Sequence, residues 1–209
     1  PFVTNPREEF LATVNANKAV QELRHNGGGP VHINLYTHYS TNFTVKELPV
    51  ARIIRRYEYN VELPAIPEGH VVITVGSHSK FTSSQVEAID AFCATYDAIV
   101  LCDHSSGYYG KYRAQMALPY SQSAALFKSA TMSNRLCIHI GEVTGDYTMG
   151  AHSQEVWRVS PDGEIRDKYE KLSAVFQVTE EYFFRHYAKE GSDKHAYIDI
   201  ANDEYERLY

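Results

Sequence analysis

Three short, mostly apolar runs, each followed by a turn residue, constrain this chain more than anything else in it. They are His70-Val71-Val72-Ile73-Thr74-Val75 before Gly76, Ala98-Ile99-Val100-Leu101-Cys102 before Asp103, and Leu136-Cys137-Ile138-His139-Ile140 before Gly141. Apolar residues at consecutive rather than alternate positions need cover on both faces, which is the condition of strands in a parallel sheet. Helical stretches separate them. Thr82-Ser83-Ser84 can cap a helix whose apolar face holds Val86, Ile89, Ala91 and Phe92, and Gln122 to Ala130 reads as another helix. Glu155 to Val159 and Ala174 to Val178 are later, shorter strands. Thr179 then caps a helix running to Tyr187, with Glu180 and Glu181 near its positive end. The pattern predicts an α/β domain from about residue 70 to 190: a Rossmann-like open parallel sheet with helices on both faces. In such sheets ligands collect at the carboxyl ends of the strands, here the loops that begin at Gly76, Asp103 and Gly141.

The upstream third has a different texture. Pro6 to His25 reads as helix, with Asn5 as cap, Pro6 in the first turn, and Ala16, Ala19, Val20 and Leu23 along one face. Phe10, Leu11 and Val14 point to another side, which suggests a bend near Asn15. Gly27-Gly28-Gly29 ends the helix, and Pro30 to Leu35 reads as a short buried strand. Residues 36–69 form an irregular passage with an extended piece from Ile53 to Tyr59, closed by Pro64, Pro67 and Gly69 as at a domain boundary. The chain starts at Pro1 without an initiator methionine and finishes within a helix-like stretch, Asp203 to Tyr209, so it reads as an excerpt.

Composition narrows the function classes. A net charge of -6 argues against nucleic-acid or anionic-membrane partners, and the basic knot Arg52 to Arg56 is interrupted by apolar residues. No apolar run approaches the about 20 residues of a membrane span, and no signal segment is evident, so the cytoplasm is the expected location. Cys93, Cys102 and Cys137 read as reduced core thiols.

The chemistry-bearing motifs are sparse. The triple glycine precedes a strand, whereas a phosphate-cradling loop follows one, and no G-x-G-x-x-G or Walker pattern occurs. Asp103-His104-Ser105 gathers acid, imidazole and hydroxyl, but sequence neighbours at a strand end diverge and seldom form a relay. His32 and His139 read as packing histidines, and His152 and Asp146 lack partners at metal-ligand spacing. Sixteen tyrosines, among them Tyr36, Tyr39, Tyr57, Tyr59, Tyr108, Tyr109, Tyr112, Tyr182 and Tyr187, suggest interface surfaces.

Gly29-Pro30-Val31-His32-Ile33-Asn34-Leu35, following the helix with Ala16, Ala19, Val20 and Leu23, resembles the end of the pyrimidine-binding domain of thiamine-diphosphate enzymes. The strands His70–Val75, Ile99–Leu101 (then Asp103-x-x-Ser106-Gly107) and Leu136–Ile140 (then Gly141, Thr144, Gly145) resemble the central domain of 2-succinyl-5-enolpyruvyl-6-hydroxy-3-cyclohexene-1-carboxylate synthases. His152 to Asp167 resembles that family's late strand and hairpin.

The resemblance implies a parent enzyme of menaquinone biosynthesis, a homodimer or homotetramer using thiamine diphosphate and magnesium. It would decarboxylate 2-oxoglutarate and add the succinyl carbanion to isochorismate. Residues 1–35 would close the pyrimidine-binding domain, 36–69 link, 70–190 form the noncatalytic central domain, and 191–209 lead toward the diphosphate-binding domain. The flanking domains of the same chain would then be its partners. No catalytic, cofactor or metal residue is expected in this segment: it lacks the G-D-G…N string that holds the metal, and the activating glutamate would lie upstream of Pro1. The carboxyl edge is left for a regulatory small molecule, with Ser106, Gly107, Thr144, Gly145 and Asp146 as contacts. Asp146 stands where the family carries a basic residue. Other readings are a free-standing nucleotide- or effector-binding module, or the middle domain of another thiamine-diphosphate enzyme, acetolactate-synthase-like or of a surface-sugar pathway.

Overall fold

The apolar runs become adjacent strands of one sheet. The computed structural model describes residues 3–35, 39, 41, 44, 46–47, 50–114, 119, 133–142 and 149–207. Within these, the chain divides into two units, Pro1–Arg55 and Arg56–Tyr209.

In the first unit, α1 (Pro6–Glu22) is capped by Asn5, whose side chain accepts from the Glu8 amide, and carries Glu8 and Glu9 in its first turn. The helix runs through Asn15 without the suggested bend, and a 3-10 turn, His25–Gly27, ends it where Gly27 and Gly28 take positive φ. Its inner side is not the apolar row read from the sequence. Val14 is buried, whereas Ala16, Val20 and Leu23 are exposed. Asn17 instead donates to the Arg52 carbonyl and accepts from the Ile54 amide at 2.7 Å, and Gln21 donates to the Ile54 carbonyl. Two amides satisfying an extended backbone outweigh the alanine-rich stripe. Residues 30–35 form no strand; His32, Ile33 and Leu35 are exposed. A strand exists only through a partner ladder, and no described neighbour offers this segment an edge.

The second unit holds most of the sheet: β1 (Arg55–Tyr57), β2 (Val71–Val75), β3 (Ile99–Cys102), β4 (Arg113–Ala114), β5 (Leu136–Ile140), β6 (Glu155–Val159) and β7 (Leu172–Phe176). Their order is β1-β7-β6-β5-β2-β3-β4. The pairs β2–β3, β3–β4, β2–β5, β5–β6 and β6–β7 are all parallel. Every residue of β2, β3 and β5 is buried, so both faces of the centre are covered. The fold is α/β and Rossmann-like. β7 starts two residues earlier than the sequence suggested, because Leu172 pairs with Val156 before the register slips at Trp157.

Helix α2 (Ser83–Tyr96) opens with a capping box between Thr82 and Gln85 and turns back at Asp97 in the left-handed region. It buries Ala88, Ile89, Phe92 and Cys93, while Ala91 faces out. Helix α3 (Glu180–Tyr187), capped by Thr179, packs beside α2. Phe92 meets Phe184 at 5.2 Å, edge to face, with Phe183 and Tyr187 around it. Helix α4 (Ala196–Glu206) is tied to the same unit by Lys194 N to the Ala94 carbonyl at 3.0 Å and Tyr197 N to Asp97 Oδ1 at 3.0 Å.

Several tyrosines read as interface residues are internal. Tyr57 stacks on Phe176, Tyr108 donates to Asp90, Tyr112 to the Lys194 carbonyl, and Tyr187 to the Pro64 carbonyl. The last three bury their rings and find an acceptor at the phenol tip, which serves a core as well as an interface. Tyr39, Tyr59 and Tyr109 remain exposed, and Tyr36 lies outside the described residues. The three cysteines are buried and unbridged, and no described helix is long and apolar enough to cross a membrane.

Candidate functional site

Strand order locates the site. Reading outward, β2 continues through β3 to β4 on one side and through β5 and β6 to β7 on the other, so the winding reverses between β2 and β5. In open α/β sheets the crevice at such a reversal is where ligands bind. Here it is sealed. Beyond the strands, Ser77 and Glu142 form an antiparallel bridge: Ser77 N donates to the Glu142 carbonyl at 3.0 Å, and Glu142 N to the Ser77 carbonyl at 2.8 Å. Gly76 N also donates to the Ile140 carbonyl at 2.9 Å. Gly76 permits the closure, since a Cβ there would overlap the Glu142 carbonyl oxygen.

Of the sequence-predicted contacts, Ser106 and Gly107 lie in the loop after β3; Thr144, Gly145 and Asp146 lie outside the described residues, as does the Gln122–Ala130 helix. The Ser106 hydroxyl is buried and engaged: it donates to the Val75 carbonyl at 2.7 Å and accepts from the Asp103 amide at 2.8 Å. Gly107 has φ +66°, and a Cβ there would come within 2.5 Å of the Ser79 carbonyl oxygen. Ser106 thus fastens the β3 loop to β2, and Gly107 lets it pass close to the β2–α2 loop. Gly107 also borders an open cleft of about 290 Å³ with Phe81, Val86 and Tyr109. Asp103, His104 and Ser105 do not make a relay. Asp103 Oδ1 accepts from both the Ser105 amide (2.6 Å) and hydroxyl (2.7 Å), a local turn with no imidazole between them.

The residue the sequence reading missed is Arg158, in the middle of β6 and 0% exposed. Its Nη1 donates to the Gly141 carbonyl at 3.0 Å and lies 3.3 Å from His139 Nδ1. Arginine can only donate, so His139 accepts at Nδ1 and carries its proton on Nε2. Burial, then the positive charge of Arg158, pushes the His139 pKa down to about 3, so the ring is neutral throughout the physiological range. Burial also lowers the pKa of Arg158, with Arg166 adding to the effect. Arg158 Nη2 is 3.9 Å from Glu142 Oε1, and Glu142 is further held by Arg166 at 3.1 Å. Arg166 in turn pairs with Asp162 at 2.9 Å. Among the described residues, Arg158 Nε and Nη2 and His139 Nε2 make no hydrogen bond.

The sequence offered one clue to Arg158: a charged residue between Trp157 and Val159 in a strand with no outward-facing alternation. Positive charge in this cluster comes from Arg158 and Arg166. The arrangement can bind; it is not poised for proton transfer. His139 does not titrate near neutrality, and burial raises the thiols of Cys102 and Cys137 to about 12. Among the described residues, no three His, Cys, Asp or Glu side chains gather to hold a metal.

No family model matches the chain. The sequence is 25% identical over 198 aligned positions to 2-succinyl-5-enolpyruvyl-6-hydroxy-3-cyclohexene-1-carboxylate synthase of Bacteroides thetaiotaomicron, covering 85% of this chain and 35% of the relative. The synthases of the same name from Phocaeicola vulgatus and Bacteroides fragilis are 39% and 37% identical over 59 residues, 28% of this chain and 11% of each relative. The chain therefore spans about a third of the length of the Bacteroides thetaiotaomicron relative. Along most of its own length, this Rossmann-like chain is similar to 2-succinyl-5-enolpyruvyl-6-hydroxy-3-cyclohexene-1-carboxylate synthases.

Proposed function

We propose that this chain is the noncatalytic central part of a thiamine-diphosphate-dependent carboligase of the 2-succinyl-5-enolpyruvyl-6-hydroxy-3-cyclohexene-1-carboxylate synthase type. The observation that carries the reading is the sealed switch point. A doubly wound sheet that has closed its own crevice with the Ser77–Glu142 bridge serves better as a rigid spacer than as a nucleotide holder. The described residues do not fit thiamine diphosphate. The place where a diphosphate would approach the sheet is crossed by the Ser77–Glu142 backbone bridge, and among the described residues no acidic cluster stands ready for its magnesium.

The cofactor and its metal belong, on this reading, to flanking domains of the same chain. The parent is a cytoplasmic homodimer or homotetramer that joins a 2-oxo acid, 2-oxoglutarate in the parent reaction, to isochorismate. Titrating this chain with thiamine diphosphate and magnesium in a calorimeter is expected to give no saturable heat. Micromolar binding would overturn the assignment. The extended reading frame is expected to encode a G-D-G…N segment within about one domain length beyond Tyr209.

A second reading, an effector site, is favoured by one observation: the buried guanidinium of Arg158 keeps donors without hydrogen-bond acceptors among the described residues. Exchange of Arg158 for an apolar residue of similar volume relieves a buried charge but strands the Gly141 carbonyl and His139 Nδ1, so stability should fall by about 1 to 3 kcal/mol. Arg158→Met is expected to show this loss in urea unfolding. If the site takes an anion, phosphate or 2-oxoglutarate should raise the melting temperature of the wild-type chain saturably and leave Arg158→Met unmoved. Equal shifts in both proteins dispose of the effector reading.

A further inference from the structure

At the same edge, but outside the Arg158 cluster, His78 joins two loops to the start of α3. Its amide donates to the Ser105 carbonyl at 3.0 Å, tying the β2–α2 loop to the β3–β4 loop. The ring stacks on Phe81, centroids 3.9 Å apart and planes 13° from parallel. Nδ1 lies 2.5 Å from the Ser79 carbonyl, and Nε2 lies 3.2 Å from Glu180 Oε2, at the first residue of α3. A backbone carbonyl and a carboxylate are both acceptors. A neutral imidazole has one N–H and can satisfy only one of them, whereas the imidazolium satisfies both. Glu180 is buried, so little water reaches its carboxylate in place of this partner.

We propose that His78 is a pH-sensitive latch: as imidazolium it clamps the start of α3 to the β2–α2 loop through Glu180, and deprotonation releases that end of the helix.

Most of the described charges around the pair are engaged elsewhere. Glu181, next along α3, is committed to the Ser84 hydroxyl and to Arg185. Asp103, across the β3–β4 loop, accepts from Ser105. Glu142, beyond the Ser77 bridge, is held by Arg166 and Arg158. On its own loop Lys80 is exposed, as is His104 opposite. Arg158 also feels Glu180, whose charge offsets part of its burial. The hydrogen bond to Glu180 raises the His78 pKa against the opposing effect of burial, with the Glu180 charge adding to the rise. The sign follows: stabilisation is fully present below the unfolded-state value near 6.5 and is lost as pH rises through the higher folded-state value. The aromatic contacts to α2 hold the rest of α3 at any pH, so the change is confined to the first turn that Thr179 caps.

The test is amide hydrogen exchange at Tyr182 and Phe183, which donate to Thr179 Oγ1 and O, measured from pH 5.5 to 8.5 and corrected for intrinsic exchange. His78 is titrated by NMR in the same samples. In the wild type, protection at these amides should fall about fivefold across the range, the factor expected of a half-buried pair. The fall should track a His78 midpoint above the ordinary histidine value. Glu180→Gln should lower that midpoint and flatten the profile, and His78→Gln should flatten it alone. Protection independent of pH in the wild type, or the same fall in both variants, overturns the latch.

Discussion

Gly76→Ala is expected to cost on the order of 3 kcal/mol or more and to open the carboxyl edge of the sheet. The added methyl group has no room, because its position overlaps the carbonyl oxygen of Glu142. That oxygen belongs to backbone, not to the far end of a flexible side chain, so relief requires one strand end to move. Moving it breaks both hydrogen bonds of the Ser77–Glu142 bridge and the Gly76 amide bond to Ile140. The Gly76–Ile140 bond lies between buried residues, so its loss strands a donor and an acceptor, whereas the exposed Ser77 and Glu142 groups turn to water. Urea unfolding measures the stability loss, and exchange at the Ser77 and Glu142 amides reports the opening. A variant within about 0.5 kcal/mol of wild type, with both amides still protected, would show that the seal yields to an added methyl group.

Phe92→Ala is expected to have the second large effect, about 3 to 5 kcal/mol. Phe92 is fully buried on α2 and touches the rings of Tyr96, Phe183, Phe184 and Tyr187. Removing it leaves a cavity that these rings, already engaged with one another and with Phe176, can fill only in part. The loss has a functional side as well. Those contacts dock α3 on α2 and so place Glu180 opposite His78. Thermal unfolding should show a lower midpoint, and the His78 titration should move toward the ordinary value as the pair loosens. A drop below 1 kcal/mol would mean that the helix pair is held elsewhere.

Strands β2, β3, β5 and β6 were legible because their signal is local: consecutive buried residues ended by Gly76, Asp103, Gly141 and Ser160. The caps at Thr82 and Thr179 were legible for the same reason. What depended on distant partners was not. The stretch 30–35 has strand composition but no ladder, and α1 buries amides that reach Arg52 and Ile54, some 35 residues away. The site divided along the same line. The loops after β2, β3 and β5 could be named from the chain alone, whereas the seal between Ser77 and Glu142 needed the strand order. Arg158 was overlooked because a charge in a strand ordinarily faces solvent. Only the fold shows that this position has neighbours on both sides.

The winding order has a consequence for how the protein is made. β2 pairs with β3 soon after synthesis, but its other edge waits for β5, whose Leu136 lies about 65 residues beyond its partner Val71. At ribosomal speeds of about 5–20 residues per second, Val-Val-Ile-Thr-Val stands as an open edge for several seconds. That is a β-branched, uncharged segment of the kind that recruits other chains. A nascent chain of this design therefore depends on crowding less than on being finished quickly, and slow synthesis through residues 103–135 is the step at which its solubility is most exposed.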